Sequence, residues 1–175
     1  MENLIQECVQ GNRKAQRLLF EKYAARMMAI CLRYIPERGL AEDLLQEGFI
    51  KVFDKLHTLK GENVEPWMKR IFINEAINTY HRKYKVNIQN LSIDSIQGSK
   101  ADEDIPIDNL SLEELKALIN ALPAGCKLVF NLFAVEGYSH DEIAEMLQIS
   151  TGTSKSQFHR ARKLLQASLA PHIKS

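Results

Sequence analysis

Apolar residues recur every three or four positions along most of this 175-residue chain, which is the spacing of one face of an α-helix. In the first half, the pattern predicts four helical segments: 2–9, 13–34, 41–56, and one from about Pro66 to the basic cluster HRKYK. Asn12 can cap the second of these segments, and Pro36 and Gly39 are predicted to end it. These segments predict one all-helical domain over residues 1–85.

The second half carries two sequence signatures of helix starts. Ser111 with Glu114, and Ser139 with Glu142, each match a capping box, in which the serine oxygen and the glutamate carboxylate bind each other's backbone amides. Helices are predicted from each box, from 124 to 135, and after a short turn at 148–150. We therefore predict a second helical domain over residues 111–175 that contains a helix-turn-helix.

The last predicted helix is apolar on one side and cationic on the others, as expected for a helix that lies in a DNA major groove. Its apolar side follows steps of four, three and four through Ser154, Phe158, Ala161 and Leu165. The other sides carry Lys155, Ser156, His159, Arg160, Arg162 and Lys163. A solvated amphipathic helix has the same pattern, but the preceding capped helix and turn favour the DNA-binding interpretation.

Charge is distributed unevenly, although 23 basic and 22 acidic side chains leave a net charge of only +1. Residues 67–85 hold five basic and one acidic side chain, and residues 151–175 hold five basic and no acidic ones. Between them, residues 86–114 hold one basic and seven acidic side chains. This asymmetry predicts two nucleic-acid contacts. The acidic stretch 86–110 lacks helical periodicity and is predicted to be a flexible linker.

Several classes of protein do not fit the composition. The apolar runs are too short for a membrane span and the N-terminus lacks a secretion signal, so we predict a cytoplasmic protein with no direct membrane insertion. Cys8, Cys31 and Cys126 are odd in number and far apart, which argues against a disulfide framework or a zinc site. Without a phosphate loop, nucleophile elbow or metal-ligand spacing, we predict no enzyme, catalytic residue, metal or cofactor.

Three blocks of sequence resemble the bacterial extracytoplasmic-function (ECF) sigma factors, the compact initiation subunits of RNA polymerase. AEDLLQEGFIKVF from Ala41 is similar to the family pattern D-L-x-Q-E-x-F, and WMKRIFINEAINTYHRK from Trp67 is similar to W-L-x-R-I-A-x-N. The third block comprises LPAGCKLVF, EGYSHDEIAEMLQIS and GTSKSQFHRARKLL. The resemblance covers nearly the whole chain and implies sigma region 2 at 1–85 and sigma region 4 at 111–175, joined by the 86–110 linker.

The resemblance also implies where the partners bind. Docking to the clamp coiled coil of the polymerase would involve Asp43, Leu44, Gln46, Glu47 and Phe49, for which a solvated helix face is the alternative interpretation. The minus-35 element would meet Lys155, Ser156, His159 and Arg160, with Arg162 and Lys163 on the DNA backbone.

In the minus-10 element, a flipped-out base would be captured by Lys60, Gly61, Glu62, Asn63 and Asn74. Phosphates would be contacted by Arg70, Arg82, Lys83 and Lys85. Asn74 has a structural alternative, as a polar helix residue bonded to neighbouring backbone. Tyr80 and Tyr84 can either stack on bases or pack locally.

The implied function is to recruit core RNA polymerase, through its clamp coiled coil and flap, to promoter DNA and to assist melting without covalent chemistry. The family also implies an anti-sigma factor as a partner. The main alternative is a freestanding helix-turn-helix regulator that binds palindromic DNA without polymerase. A weaker alternative is an RNA-binding or polymerase-sequestering protein.

Three residues depart from the family pattern. Ser154 stands where valine is common, which predicts looser packing beneath the last helix. Gln157 stands where arginine is frequent, which predicts the loss of a phosphate contact. Phe72 stands where alanine is common.

Overall fold

The computed structural model describes residues 2–61, 63–84 and 111–169, and within these ranges every regular element is helical. The α-helices are α1 Glu2–Val9, α2 Arg13–Tyr34, α3 Arg38–Lys55, α4 Val64–Tyr84, α5 Leu112–Asn120, α6 Ala124–Phe130, α7 His140–Leu147 and α8 Thr151–Leu169. A 3-10 turn at Leu56–Thr58 follows α3, and a π-helical turn at Asn131–Val135 follows α6. The predicted all-α class is confirmed.

The chain divides into two compact units, Met1–Lys85 and Val86–Ser175. The first unit contains α1 to α4 and the second contains α5 to α8. The predicted linker at 86–110 lies outside the described residues, as do Glu62 and Lys85.

In the first unit, α2, α3 and α4 pack against one another around a largely apolar core. Asn12 caps α2 as predicted, since its side chain accepts from the backbone amides of Lys14 and Ala15 at 3.0 and 3.3 Å. Helix α3 begins at Arg38, so Gly39 lies within α3 and not in the break. The break falls at Ile35 because a residue before proline is pushed towards the extended conformation, and Ile35 has φ −122° and ψ 94°.

Close packing of α3 on α4 depends on Gly48. A Cβ atom at this position would lie 2.6 Å from Cζ of Phe72, which is closer than side chains tolerate, and the Phe72 ring is fully buried. Phe49 adds contacts to Phe20 and Phe72, with ring centroids 4.7 and 5.3 Å apart. The large Phe72 is therefore accommodated by the absence of a side chain at Gly48.

In the second unit, both predicted capping boxes are present. The amide of Ser111 donates to Glu114 Oε2 at 2.9 Å and the amide of Ser139 donates to Glu142 Oε2 at 2.8 Å, and each serine oxygen accepts the return bond. The core includes Leu122, Cys126, Ala161 and Leu165, with Leu118, Ile119 and Phe130 packed around it. The two boxes thus fix where α5 and α7 begin.

The predicted helix at 124–135 changes form partway along. It is α-helical only to Phe130 and then continues through the π-helical turn, after which Gly137 takes the left-handed conformation at φ 81°. Asn131, the first residue of this turn, is buried, and neither polar atom of its amide has a hydrogen-bond partner. Sequence periodicity does not distinguish the wider turn from an ordinary helix end, since both continue the same apolar pattern.

Candidate nucleic-acid interface

Helices α7 and α8 form the predicted helix-turn-helix. Gln148 adopts the left-handed conformation at φ 55° and turns the chain between them. Ser150 then caps α8, because its oxygen accepts from the amide of Thr153 at 2.9 Å. The Thr151 hydroxyl donates to Asp141 Oδ1 at 2.9 Å, so the start of α8 is bonded directly to the first turn of α7.

The buried side of α8 differs from the predicted one at two positions. Ser154, Ala161 and Leu165 are buried as expected, but Gln157 is also buried whereas Phe158 is only partly so. Gln157 Oε1 accepts a hydrogen bond from the thiol of Cys126 on α6 at 3.0 Å. Because position 157 faces the interior, glutamine there removes no phosphate contact, and that prediction was wrong.

Ser154 bonds α8 to α7 through His140. The serine oxygen lies 2.9 Å from His140 Nδ1, and the imidazole stacks on Phe133 with centroids 4.4 Å apart and planes 15° apart. Burial lowers the pKa of His140, as does the nearby Lys155, while Asp141 acts in the opposite direction. A neutral imidazole and a buried hydroxyl therefore pair where the family pattern commonly has an apolar contact.

The outer sides of α8 carry the residues predicted to meet the minus-35 element. Lys155 and Ser156 are exposed, whereas the others are half-buried: His159, Arg160, Arg162 and Lys163. The Ser156 hydroxyl donates to the Thr153 carbonyl at 2.9 Å, which leaves its oxygen able to accept. His159 Nε2 is enclosed without a hydrogen-bond partner, so this nitrogen does not reach a base in the present rotamer.

One face of α4 forms a continuous polar surface, here called the α4 stripe, made of Arg70, Asn74, Asn78 and Arg82. All four are exposed, and steps of four residues place them on one side of the helix. Asn78 was missed in the sequence, although its spacing of one turn from Asn74 is a signal for it. The stripe combines two amides with a cation at each end.

Several neighbouring side chains of α4 are buried or half-buried and do not belong to this stripe. Glu75 is 9% exposed, and its carboxylate pairs with Lys51 Nζ at 2.5 Å, so the acid adjacent to Asn74 is turned towards α3. Tyr80 is buried at 6% exposure and packs in the core, while Trp67 is half-buried. The side chains of Lys83 and Tyr84 lie outside the described set.

The loop before α4 is fixed at both ends and exposed between them. Leu56 and Val64 are each 1% exposed, whereas Lys60, Gly61 and Asn63 face solvent. Gly61 has φ 92°, a conformation that side chains disfavour. These three residues are therefore exposed together in one loop.

An ion pair joins the first turn of α4 to α2. Arg26 Nη1 lies 2.8 and 2.7 Å from the two carboxylate oxygens of Glu65. Glu65 follows the exposed loop by two residues, so this contact positions the chain where it leaves the loop.

The residues predicted to dock the polymerase separate into two groups. Asp43, Gln46 and Glu47 are exposed on α3, but Leu44 and Phe49 are only 2% and 3% exposed. Leu44 and Phe49 must therefore be corrected to core residues, because their side chains pack inside the unit and are almost fully covered.

Ile50 was not part of that prediction. Its side chain is 63% exposed and lies on the outer face of α3 with Asp43, Gln46 and Glu47. We call these four residues the α3 face. The family resemblance, and not the helical periodicity, had placed Phe49 at the docking surface.

Arg82 connects the two surfaces of the first unit. Its Nη2 donates to Thr79 Oγ1 at 3.1 Å and lies 4.0 Å from Glu47 Oε2. Together with Leu40, Asp43 and Leu44, these residues line an open groove of about 400 Å³. The predicted DNA contact Arg82 thus lies at the border of the α3 face.

The described residues contain no group of three or more histidine, cysteine or acidic side chains placed to bind a metal, and no helix among them is long and apolar enough to cross a membrane. The three cysteines are buried and unpaired, and burial raises the pKa of the Cys31 thiol to about 12. A thiol with so high a pKa is unreactive near neutral pH.

Comparison with known families gives two matches in the same order as the two units. The Sigma-70 region 2 model matches residues 19–86, and the Sigma-70 region 4 model matches residues 112–165. The ECF RNA polymerase sigma-E factor of Haemophilus influenzae is 28% identical over 179 residues, which cover 96% of this chain and 94% of that protein. The sigma-E factor of Escherichia coli is 28% identical over 182 residues, covering 98% and 95%.

Two solved structures are similar to this chain. The sigma factor RpoE in complex with the anti-sigma factor NepR, from Bartonella quintana, is 26% identical and superposes with a TM-score of 0.57, covering 88% of this chain and 96% of that one. CnrH in complex with the cytosolic domain of CnrY has the same fold, with a TM-score of 0.54 at 18% identity and 96% coverage of both chains. With both sigma regions in order and full-length similarity to sigma-E factors, this chain belongs to the ECF sigma factors, which direct RNA polymerase to promoters for transcription initiation.

Proposed function

We propose that the first unit acts as sigma region 2, which binds core RNA polymerase and the opened minus-10 element, and that residues 111–175 act as sigma region 4 on the minus-35 duplex. The observation that carries this assignment is the pairing of an exposed loop with the α4 stripe in one matched region and a cationic helix-turn-helix in the other. The protein would work in the cytoplasm, where its polymerase is, and polymerase would supply the catalysis.

Polymerase docking would centre on the α3 face. Ile50 provides an exposed apolar anchor, and Asp43, Gln46 and Glu47 surround it with groups that can bond to a partner. Interfaces commonly combine a desolvated apolar centre with a polar rim, and the anchor carries most of the binding energy. Leu44 and Phe49 would contribute from beneath, by packing α3 onto α2 and α4.

Promoter opening would use the exposed loop and the α4 stripe together. Lys60, Gly61 and Asn63 lie at one end of α4, and Asn74 offers an amide that can bond to the Watson–Crick edge of an extruded base. Arg70 would hold neighbouring phosphates, which fixes the register of the strand without reading its sequence. Trapping an unpaired base compensates part of the cost of separating the strands.

Duplex recognition would fall to α8. Arg160 can form two parallel bonds to guanine, and Ser156 and Lys155 are placed on the exposed side of the same helix. Arg162 and Lys163 would hold the flanking phosphates. The Ser154–His140 bond and the Thr151–Asp141 bond fix the angle at which α8 leaves α7.

An anti-sigma factor would be a further partner of this protein and would regulate it. The RpoE structure that this chain resembles is a complex with the anti-sigma factor NepR. A partner that covered the α3 face would prevent polymerase binding directly, because a single surface cannot hold two proteins at once.

The test is a reconstituted run-off assay with purified protein, core polymerase and a promoter library. Specific transcripts should appear only when the protein is present. A freestanding regulator would instead bind its operator tightly without polymerase and give no dependent transcript, which would contradict the proposal.

A pair of matched substitutions tests the docking surface separately. Ile50→Glu should weaken binding to core polymerase by tenfold or more, because hot-spot anchors contribute on the order of 2 kcal/mol. Leu18→Glu is the control, since Leu18 is similarly exposed, at 57% against 63% for Ile50, but lies on α2. Binding is measured by fluorescence anisotropy, and equal losses in both variants would exclude α3 as the docking helix.

A further inference from the structure

The ion pair between α2 and α4 lies at the end of the exposed loop. Arg26 Nη1 donates to both carboxylate oxygens of Glu65, at 2.8 and 2.7 Å. The two residues are 39 positions apart along the chain, so only the packing of α2 against α4 brings them together. Glu65 is the second residue of α4, directly after Val64. The pair therefore acts at the point where the loop becomes a helix.

Buried side chains hold both partners of this pair in place. Tyr23 lies one helical turn before Arg26 on α2 and is only 5% exposed. Burial raises the pKa of Tyr23, the Glu65 carboxylate adds to this effect and the Arg26 guanidinium opposes it, so both charged groups lie near the phenol. On α4, Val64 and Met68 are 1% and 0% exposed, which fixes that end of the helix in the core. The pair therefore joins two well-packed segments of backbone.

The pair contributes little to the stability of the unit, because it is open to solvent. The Arg26 and Glu65 side chains are 66% and 39% exposed, and ion pairs in such positions are weak. Arg17 and Glu21 form a comparable pair at 2.7 Å, with 80% and 52% exposure, but both belong to α2. Arg26 therefore differs from Arg17 in its partner, which lies on another helix at the edge of the loop.

The exposed loop itself has few restraints at its centre. Gly61 has the left-handed conformation that glycine favours, and a Cβ atom added there would meet no atom within 4 Å. Lys60 and Asn63 are exposed on either side of it. Ordering such a loop around a base costs free energy, and a site that is already held in the right geometry avoids part of that cost. Contacts that fix the end of the loop therefore favour base capture.

We propose that Arg26 is a positioning residue for promoter opening, which fixes the end of the exposed loop relative to Asn74 by holding Glu65. The first turn of a helix opens easily, because its amides lack partners within the helix. Asn74 lies nine residues after Glu65 on α4, so opening of the first turn moves the loop and leaves Asn74 in place. Arg26 itself touches neither the base nor the phosphates. This inference rests on the proposed function of the first unit.

The test measures binding of the reconstituted holoenzyme to a promoter whose minus-10 region is already open. Each base of the non-template strand is replaced in turn by an abasic site, and the position at which wild-type protein loses affinity identifies the captured base. Arg26→Ala should bind the intact promoter roughly three- to tenfold more weakly, which is the scale of coupling between residues in one contact network. On the promoter that is abasic at the captured position, Arg26→Ala and wild type should bind equally.

Further variants separate the ion pair from the arginine alone. Arg17→Ala is the matched control, because its partner Glu21 also lies on α2, and it should bind both promoters as wild type does. Arg26→Lys keeps a cation and should recover most of the loss. Glu65→Ala should reproduce the loss, and the double variant with Arg26→Ala should bind no more weakly than either single variant. Thermal unfolding should differ little among all of these proteins, since the pairs are exposed.

A direct contact between Arg26 and the DNA backbone predicts a different pattern. Arg26→Ala would then weaken binding to the intact and the abasic promoter alike, and Glu65→Ala would strengthen binding, because it removes an acid that competes with phosphate. Either result would overturn the positioning role while leaving the sigma function intact, as would an unchanged affinity of Arg26→Ala for the intact promoter.

The wild-type protein separates this inference from the proposed function. If no base position is sensitive although transcripts depend on the protein, the positioning role alone is overturned, because there is no captured base to position. If no position is sensitive and no transcript depends on the protein, the proposed function fails, and the positioning role fails with it.

Discussion

The two units of this protein fill their interiors in different ways. Five polar or charged residues are buried in the described part of the chain, and only Glu75 belongs to the first unit. The second unit buries the other four: Lys127, Asn131, Ser154 and Gln157. The first unit relies on the shapes of apolar side chains, above all Phe72 over Gly48, whereas the second uses hydrogen bonds between helices.

This difference indicates that the two regions tolerate change differently. Close-packed apolar surfaces are sensitive to volume, because an added methyl group has no space to occupy. Buried polar pairs are sensitive to the loss of one partner, because the other then remains unsatisfied. The largest effects are therefore expected from a size change in the first unit and from a broken pair in the second.

Gly48→Ala is expected to have the largest effect. The new methyl group would overlap the Phe72 ring, and overpacking of this kind lowers the free energy of unfolding by about 1–3 kcal/mol. Chemical denaturation followed by the fluorescence of Trp67, the single tryptophan, reports on the first unit.

The control for this prediction lies on the same helix. A Cβ atom added at Gly39 would have no other atom within 4 Å. Gly39→Ala should therefore stabilise the unit by up to about 1 kcal/mol, because alanine is the better helix former. If Gly48→Ala proved as stable as Gly39→Ala, the first unit would not depend on close packing at this point.

Ser154→Ala is expected to have the next largest effect. It removes the hydrogen bond to His140, which should lower the free energy of unfolding by about 0.5–1.5 kcal/mol. Ser168→Ala is the control on the same helix, since the Ser168 hydroxyl is exposed and donates only to the carbonyl of Leu164. Thermal unfolding followed by circular dichroism gives the comparison.

The same Ser154→Ala substitution in a second variant protein tests the role of the hydrogen bond directly. In a His140→Phe protein, Ser154→Ala should cost nothing or should stabilise, because the serine oxygen has already lost its partner. An unchanged cost in both backgrounds would show that the hydrogen bond does not carry the stability of this contact.

The smallest expected effect is a pH dependence confined to the second unit. Burial lowers the pKa of His140 below its ordinary value of 6.5, so the unfolded chain takes up a proton before the folded one does. The contribution of neutral His140 is therefore complete above about pH 6.5 and decreases as the pH falls below it.

The free energy of unfolding, measured between about pH 7.5 and 5.5, should fall more steeply in wild type than in His140→Phe. High salt should leave most of this difference in place, because burial, which salt does not screen, is a larger cause than the charge of Lys155. Identical slopes would mean that His140 titrates as it does in the unfolded chain.

Local signals in the sequence predicted much of the fold. The Asn12 cap and both serine–glutamate capping boxes are present as predicted, because capping depends on residues within three or four positions. The turn at Gln148 was predicted on the same basis. The start of α3 was misplaced, since Gly39 is tolerated in a first helical turn and only the residue before Pro36 had to leave the helix.

The candidate site was predicted less completely. Ile50 and Asn78 were missed, and Leu44, Phe49 and Gln157 were assigned to surfaces although they are buried. The family resemblance placed Leu44, Phe49 and Gln157 at surfaces. A family pattern gives the residue type at a position, whereas the packing of the helices decides which side of the helix is covered.

The sequence by itself determined the helices, their caps, the two basic segments and the resemblance to sigma factors, since these depend on residue types at short spacing. Tertiary structure alone decided that Phe72 occupies the space left by Gly48, that His140 pairs with Ser154, and that α2 is bonded to the first turn of α4. The physical reason is that such contacts join residues distant along the chain, and only the packing of the helices brings them within bonding distance.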